Sequence, residues 1–164
     1  MKKFFMKRIS NKVAVVLGCI ICIIAVILML IYFNCRNTNI LFKYSYSNYA
    51  WEPVDTGFVI YSNGLIKEYD EYNKKSKLKY AWLTKNELKQ LKELSNLVED
   101  ECEKYNGMTR DFGVYTNEIY SERLGEWVVL SQHGDFVITN STGISKQILQ
   151  LTDEFRSRYL GYSK

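Results

Sequence analysis

A run of 21 residues without a charged side chain, from Val13 to Phe33, constrains this 164-residue chain more than any other feature. A helix of that length covers about 30 Å, the thickness of the hydrocarbon core of a bilayer. The run is longer than the core of a secretory signal, about 7 to 15 residues, and no Ala-x-Ala pattern follows it. We therefore expect residues 13–33 to form an uncleaved transmembrane helix in contact with membrane lipid.

Cys19, which follows Gly18, allows a second interpretation as the lipidation site of a bacterial lipoprotein. Cleavage there would leave only residues 13–18 as a signal core and would keep the most hydrophobic part, residues 20–31, in the mature protein. The anchor is the favoured interpretation, in which Cys19 and Cys22 are small hydrophobic residues one helical turn apart.

The charge distribution orients the anchor. Five basic residues and no acidic residue precede the run, whereas only Arg36 and Lys43 follow it closely. Because positive charge stays on the cytoplasmic side, we expect a single-pass protein of the cell membrane with its N-terminus inside. The predicted parts are a cytoplasmic tail (1–12), a transmembrane helix (13–33), a membrane-exit segment (34–39) and an extracytoplasmic domain (40–164).

The charge distribution also indicates which partners the chain binds. The tail contributes five positive charges to the net charge of +4, so the 17 basic and 18 acidic residues that follow sum to −1. The basic character of the chain therefore indicates anionic lipid at the inner leaflet. It does not indicate a nucleic-acid partner, because the part that folds outside is nearly neutral.

The extracytoplasmic part has strand and hairpin signals. Apolar and polar residues alternate over 42–46, as is typical of a half-buried strand. Asn63-Gly64 joins two β-rich runs, and both residues tolerate the positive φ that a tight hairpin needs. Further strand-like runs cover 77–82, where Leu78, Tyr80 and Trp82 share one face, and 113–121, 126–131 and 135–139.

Two helices are predicted. Thr84 and Glu87 form a capping box ahead of a leucine stripe. A second helix begins after Asn140, Ser141 or Thr142, ends at Gly161, and has an apolar face of Ile144, Ile148, Leu151, Phe155 and Tyr159. This order predicts an α+β, two-layer domain: an antiparallel sheet of about five or six strands with two helices packed on one face. A split barrel with the helices outside is the alternative.

The T-x-x-E-L-x-x-L run from Thr84 to Leu91, between two strand groups and behind an N-terminal anchor, also carries a resemblance. The chain resembles small membrane-anchored extracytoplasmic proteins of Gram-positive bacteria with no assigned activity. The resemblance covers residues 55–160 and transfers no functional residue to this sequence.

The sequence offers no catalytic constellation. The single histidine, His133, lies between two strand-like runs and fits an exposed turn, and no G-x-S-x-G motif is present. One histidine is too few for zinc sites with two or three histidine ligands. We expect no catalytic residue, no cofactor and no metal. The enzyme alternative is a small envelope hydrolase that uses two carboxylates among Asp111, Glu118, Glu122 and Asp135.

Three groups of residues are candidates for partner binding. Aromatic side chains suit sugar stacking or protein docking, and strand packing explains them equally well. Lysines suit anionic headgroups or wall polymers, or else protection of a sheet edge. Acidic residues suit a cationic partner or calcium, or else a solvated helix end. The candidates are Tyr46, Tyr49, Trp51, Tyr69, Tyr72, Lys75, Lys77, Lys79, Glu99, Asp100 and Glu101.

Two further expectations complete the interpretation. Cys35 and Cys102 lie outside the predicted span and either form a disulfide or remain free. The function expected is non-catalytic binding of a protein or a cell-envelope component by a tethered domain. One version of it is an immunity or inhibitor protein that acts against a secreted toxin or enzyme.

Overall fold

A computed structural model describes residues 16–29, 39–49, 53–73, 77–107 and 113–162. The chain divides into two compact units, Met1–Thr38 and Asn39–Lys164. In the first unit, helix α1 covers residues 16–29. Among the described residues, no helix combines the length and the apolar character needed to cross a membrane. The predicted tail, both ends of the predicted span (13–15 and 30–33) and residues 34–38 lie outside the described residues.

The second unit is built on one eight-stranded antiparallel sheet with the strand order β4-β3-β2-β1-β6-β7-β8-β5. Two helices and a π-helical turn accompany it. The strands are β1 Ile40–Asn48, β2 Val54–Tyr61, β3 Leu65–Asp70, β4 Tyr80–Trp82, β5 Cys102–Asn106, β6 Val114–Ser121, β7 Glu126–His133 and β8 Phe136–Asn140. The helices are α2 Lys85–Leu97 and α3 Gly143–Phe155, and the π-helical turn Arg156–Leu160 continues α3.

The predicted α+β class and antiparallel sheet are confirmed, but the predicted size of five or six strands is wrong. One source of the difference is β5, which is not among the strand-like runs that the sequence predicts. Every residue of β5 is exposed, so no apolar alternation marks it in the sequence. Its backbone pairing with β8 forms the strand, and that pairing is a property of the folded sheet.

The core is centred on one row of side chains that crosses five neighbouring strands. Phe42 on β1 lies opposite Ile60 on β2 and Ile119 on β6. Ile60 in turn lies opposite Ile66 on β3, and Ile119 lies opposite Val128 on β7. All five side chains are fully buried. The helices add Leu91, Ile148 and Phe155 to the same apolar cluster.

The helix boundaries follow the predicted signals. In the capping box of α2, the Thr84 hydroxyl accepts the Glu87 N–H at 3.3 Å and Glu87 accepts the Thr84 N–H at 2.8 Å. Thr142 caps α3 by accepting the Ser145 N–H at 3.2 Å. Gly161, with φ of 71°, ends the π-helical turn in the left-handed conformation that favours glycine.

The Asn63-Gly64 turn between β2 and β3 is also as predicted. Gly64 has φ of 91°, and its N–H bonds to the Tyr61 carbonyl at 2.8 Å. The Asn63 side chain accepts the Leu65 N–H at 3.0 Å and so closes the turn.

Strand β4 presents the opposite face from the one that its apolar pattern suggests. Ala81 lies opposite Ile66 in the core row and packs against the core. Because side chains alternate along a strand, Tyr80 and Trp82 point away from the core, and each is 59% exposed. The register with β3 thus outweighs the larger apolar area of the two aromatic residues.

Candidate functional site

A cavity of about 390 Å³ opens beside β1, β2, β3 and β6, and we call it the groove. Its lining combines aromatic side chains with charges of both signs. The aromatic residues are Tyr44, Tyr46, Phe58, Tyr69, Tyr115 and Tyr162, and the charged residues are Glu68, Asp70, Lys77, Lys79 and Arg156.

The floor of the groove continues the buried face of the sheet. In the row next to the core row, Phe58 lies between Glu68 on β3 and Tyr44 on β1. One row further along, Tyr46 on β1 lies opposite Tyr115 on β6. Because every second residue of a strand shares a face, these side chains stand on the same face as Phe42 and the core. The groove therefore begins where the apolar core ends.

The roof of the groove, defined as Arg156, Leu160 and Tyr162, comes from the end of α3. The π-helical turn carries Arg156 and Leu160, and the left-handed Gly161 turns the chain so that Tyr162 follows. The Arg156 guanidinium lies 4.8 Å from the ring centroids of both Tyr44 and Tyr162. These two cation–π contacts join the floor of the groove to the roof.

Glu68 is the buried polar group of the groove, with only 7% of its surface exposed. Its Oε2 accepts the backbone N–H of Lys79 at 2.8 Å. Its Oε1 has no hydrogen-bond partner in the part of the chain that the structure describes. That atom is shielded from solvent, and the Tyr162 hydroxyl is hydrogen-bonded to the carboxylate, so Glu68 connects β3 to the chain that follows the π-helical turn.

The hydroxyls of Tyr44 and Tyr162 in the groove remain neutral at physiological pH. Interaction with the Glu68 carboxylate, followed by burial, raises the pKa of Tyr162. Burial raises the pKa of Tyr44, although the nearby Arg156 charge opposes the shift. A neutral phenol both donates and accepts hydrogen bonds, so these groups suit polar ligands.

Tyr46 and Tyr115 form an aromatic pair at the open side of the groove. Their ring centroids are 4.5 Å apart, with the planes tilted by 32°. Tyr46 is half-buried, whereas Tyr115 is 41% exposed. The pair therefore presents apolar area to solvent beside polar groups, as binding sites commonly do.

The predicted partner-binding residues are divided among several places. Tyr46, Tyr69, Lys77 and Lys79 line the groove. Lys79 is engaged there, because its Nζ donates to the Leu160 carbonyl and lies 5.0 Å from the Tyr162 ring.

Tyr49 and Tyr72 do not line the groove. They follow β1 and β3 and are 66% and 51% exposed. Trp51 and Lys75 lie outside the described residues.

Tyr69 contacts the sheet beside Gly57. It lies opposite Gly57 in the register of β2 and β3, and its hydroxyl is 3.5 Å from the Tyr44 carbonyl. Burial first, and the Asp55 charge second, raise the pKa of Tyr69 to about 12, against the effect of a hydrogen bond with Ser45. Tyr69 therefore supports the strands that form the groove floor.

The predicted acidic cluster is not part of the groove. Glu99, Asp100 and Glu101 are exposed after the end of α2, where the Glu99 carbonyl accepts a 2.7 Å hydrogen bond from Asn140. Within the described ranges, no group of three metal-binding side chains comes together.

The carboxylates proposed for the hydrolase alternative lie elsewhere as well. Glu118, Glu122 and Asp135 are not among the groove residues. Asp111 lies outside the described residues.

Cys102 carries a free thiol, and Cys35 lies outside the described residues. The thiol is 3.2 Å from the Val129 carbonyl and 3.3 Å from Asp100 Oδ1. Burial and the Asp100 carboxylate raise the pKa of Cys102 to about 11. At neutral pH this cysteine is a protonated hydrogen-bond donor and a poor nucleophile.

Several groove residues were not predicted from the sequence, among them Tyr44, Glu68, Tyr115 and Arg156. Tyr44 could have been identified, because it alternates with the predicted Tyr46 along β1 and therefore shares its face. Glu68, Tyr115 and Arg156 carry no such signal, because strand register and the π-helical turn bring them to the groove.

Comparisons with known proteins return no match: no family model fits the chain, and no curated protein or solved structure is significantly similar to it. The resemblance to Gram-positive membrane-anchored proteins stays a prediction.

Proposed function

We propose that this chain is a single-pass membrane protein whose extracytoplasmic domain binds a protein or a cell-envelope component and catalyses no reaction. The observation that carries the proposal is the groove, which is lined by the Tyr46–Tyr115 pair together with side chains of both charges. Apolar surface with a few convergent polar groups is the usual composition of a ligand site.

The composition of the groove favours binding over nucleophilic catalysis. Of the groove residues in the described part of the chain, none is serine, cysteine or histidine. The Ser–His and Cys–His pairings of nucleophilic catalysis therefore have no residues to form them among these groove residues.

The anchor part of the proposal rests on residues 13–33 and on the basic tail. Every residue of α1 is exposed, and most of its side chains are large and apolar, so lipid is a suitable surrounding for them.

A tether of this kind has a physical consequence for binding. Confinement to the membrane plane raises the effective concentration of the domain for other components of the envelope. An immunity or inhibitor protein that meets a secreted toxin or enzyme at the cell surface is one version of this function.

Capture from the cell envelope tests the binding function. The tagged full chain would be cross-linked in cells and purified as wild type, as Tyr46→Ala/Tyr115→Ala, and as Trp82→Ala/Tyr105→Ala. The last pair is a matched control, because both residues are exposed aromatics outside the groove. We expect one envelope component to be captured by wild type and control and lost with the groove variant. A captured set that the groove variant leaves unchanged would contradict the proposal.

A reporter fused after Lys164 tests the anchor independently. We expect the reporter to be active outside the cytoplasm and the mature chain to retain its cytoplasmic tail. Activity confined to the cytoplasm, or a mature N-terminus at Cys19, would show that the anchor is wrong.

A further inference from the structure

The face of the sheet opposite the helices carries a row of apolar and aromatic side chains at one end of the strands. Both helices pack on the core face of the sheet, through Leu91, Ile148 and Phe155. Side chains alternate along a strand, so the neighbours of the core row point to the opposite face. The row, which we call the outer row, contains Trp82 on β4, Leu65 on β3, Tyr61 on β2, Ile40 on β1, Tyr120 on β6 and Trp127 on β7.

Strand register and side-chain contacts make the outer row continuous. Its members pair across the strands as Trp82 with Leu65, Tyr61 with Ile40, and Tyr120 with Trp127. The Tyr120 and Trp127 rings meet edge to face, with their centroids 5.8 Å apart. Ile40 and these two aromatic residues line one cavity of about 350 Å³. Trp82 and Trp127, at the two ends of the outer row, are 59% and 42% exposed.

The polarity of this face increases along the strands, away from the outer row. Two residues further along, the next row holds Tyr80, Lys67, Val59, Lys43, Glu118 and Val129. The row after that holds Tyr69, Gly57, Ser45, Thr116 and Gln132, which are small or polar apart from the tyrosine ring. The face therefore changes from aromatic to charged to polar over about 13 Å.

This order of side chains matches the boundary between a bilayer and water. Tryptophan and tyrosine are enriched there, because each combines an apolar ring with a polar group. Lysines beside them keep their ammonium groups in water while their stems cover apolar surface, and Val59, between Lys43 and Lys67, is only 7% exposed. Glu122 and Glu126 are exposed near the same end, so attraction to anionic lipid is not the basis of the match.

The sequence favours lipid as the occupant of this surface. Ile40 belongs to the outer row, and the predicted span ends seven positions earlier, at Phe33. Seven fully extended residue steps cover about 25 Å at most. A chain anchored by residues 13–33 therefore keeps the bilayer surface within reach of the outer row, at a high effective concentration.

From these observations we propose that the outer row enters the interfacial region of the bilayer that holds the anchor, with Trp82 and Trp127 at the level of the lipid head groups. The inference rests on the anchor in the proposed function and adds a second contact with lipid, which orients the domain. Attachment remains with the span, so capture through the groove does not depend on the outer row.

Fluorescence quenching by brominated lipid tests the inference. The full chain would be reconstituted in phosphatidylcholine vesicles whose acyl chains carry bromine close to the head group. Two versions keep one outer-row tryptophan each: Trp51→Phe/Trp127→Phe and Trp51→Phe/Trp82→Phe. The control replaces all three tryptophans by phenylalanine and adds Tyr115→Trp. Its reporter lies in the groove, on the core face, and Tyr115 at 41% exposed matches Trp127 at 42%.

We expect both outer-row tryptophans to lose a large fraction of their emission when brominated lipid replaces ordinary lipid. The Tyr115→Trp reporter should lose little, because the groove faces away from the outer row. Outer-row emission that does not fall, or that falls no more than in the control, would overturn the lipid contact. Outer-row tryptophans protected from both brominated lipid and aqueous acrylamide would be covered by protein, a second copy or another partner, and this result would also overturn it.

Flotation of the same vesicles separates this inference from the proposed function. We expect all versions and wild type to float with the lipid, because the span holds them. Flotation without quenching of the outer-row tryptophans would refute the lipid contact alone. Wild type that does not float would refute the anchor itself, and the inference with it.

Discussion

The Tyr159 hydroxyl donates a 2.8 Å hydrogen bond to Glu87 Oε2, although the two residues lie 72 positions apart in the chain. The Glu87 side chain also completes the capping box with Thr84 and pairs with Arg158 at 2.6 Å. One carboxylate therefore caps α2 and holds the π-helical turn that carries part of the groove roof. Its contacts connect the first turn of one helix to the end of the other.

Replacing Glu87 by alanine should destabilise the domain by about 1 to 3 kcal/mol, because a helix cap and several hydrogen bonds are lost together. The control is Glu93→Ala, which breaks an exposed 3.7 Å pair with Lys89 on the same helix. An exposed pair of this kind contributes less than about 0.5 kcal/mol. Urea unfolding followed by circular dichroism measures both, and equal losses would contradict the assigned role of Glu87.

The contribution of Glu87 should also depend on pH. Burial alone would raise the pKa of Glu87, but hydrogen bonds from Thr84 and Tyr159 and the Arg158 charge lower it below its ordinary 4.5. A lowered folded-state pKa stabilises the fold above the unfolded value, and this contribution is lost as pH falls through the folded value. The stability difference between wild type and Glu87→Ala should therefore shrink well below pH 4.5. A difference that stays constant into acid would contradict the lowered pKa.

Arg123 should stabilise the C-terminal end of α2. Its Nε donates to the Asn96 carbonyl, and its terminal nitrogen donates to the Val98 carbonyl, both at 2.7 Å. A cation at this helix end satisfies free carbonyl groups and the negative end of the dipole. We expect Arg123→Ala to cost about 1 to 2 kcal/mol, and Lys146→Ala, at an exposed site on α3, to change stability little. A shift in thermal unfolding as small as that of the control would exclude the capping role.

Two glycines should respond in opposite ways to alanine. A Cβ on Gly57 would lie 2.0 Å from the Tyr44 carbonyl oxygen, whereas a Cβ on Gly143 would meet nothing within 4 Å. Gly57→Ala should therefore destabilise by about 2 kcal/mol or more, since the strands must separate. Gly143→Ala at the start of α3 should stabilise by about 0.5 to 1 kcal/mol, because the unfolded chain loses freedom. The measurement is the denaturant midpoint of unfolding. We expect the midpoint of Gly57→Ala to lie below that of wild type and the midpoint of Gly143→Ala to lie above it.

Alkaline pH should destabilise the fold through Tyr69. Its folded-state pKa of about 12 lies above the ordinary value of 10.0, mainly because of burial. The unfolded chain therefore releases this proton first, and stability declines as pH rises from about 10 toward 12. Tyr69→Phe should show a shallower decline, measured as unfolding free energy against pH. Identical slopes for the two proteins would contradict the raised pKa.

The helix limits and one hairpin were predicted because their signals are local. Thr84 and Glu87 cap one helix within a single turn, and Asn63-Gly64 closes a hairpin within four residues. Ile148 and Phe155 on α3 were also identified as buried, since their spacing matches one helix face. Each of these features depends on the backbone preferences and periodicity of neighbouring residues.

Strand β5, the orientation of β4 and most of the groove were not predicted. β5 has only exposed residues, and Ala81 rather than Trp82 faces the core because of its register with Ile66. A shift of one residue in register would move every side chain of a strand to the other face. The residues that are neighbours in the sequence do not specify which strands pair or in which register.

The sequence by itself therefore determined the helices, their caps, the antiparallel α+β class and the apolar run that underlies the proposed anchor. Only the tertiary structure decided that Glu68, Tyr44 and Arg156 share one groove. The reason is that strand pairing and the π-helical turn bring together residues from distant parts of the chain, and the free energy of those contacts exists only once the sheet has formed.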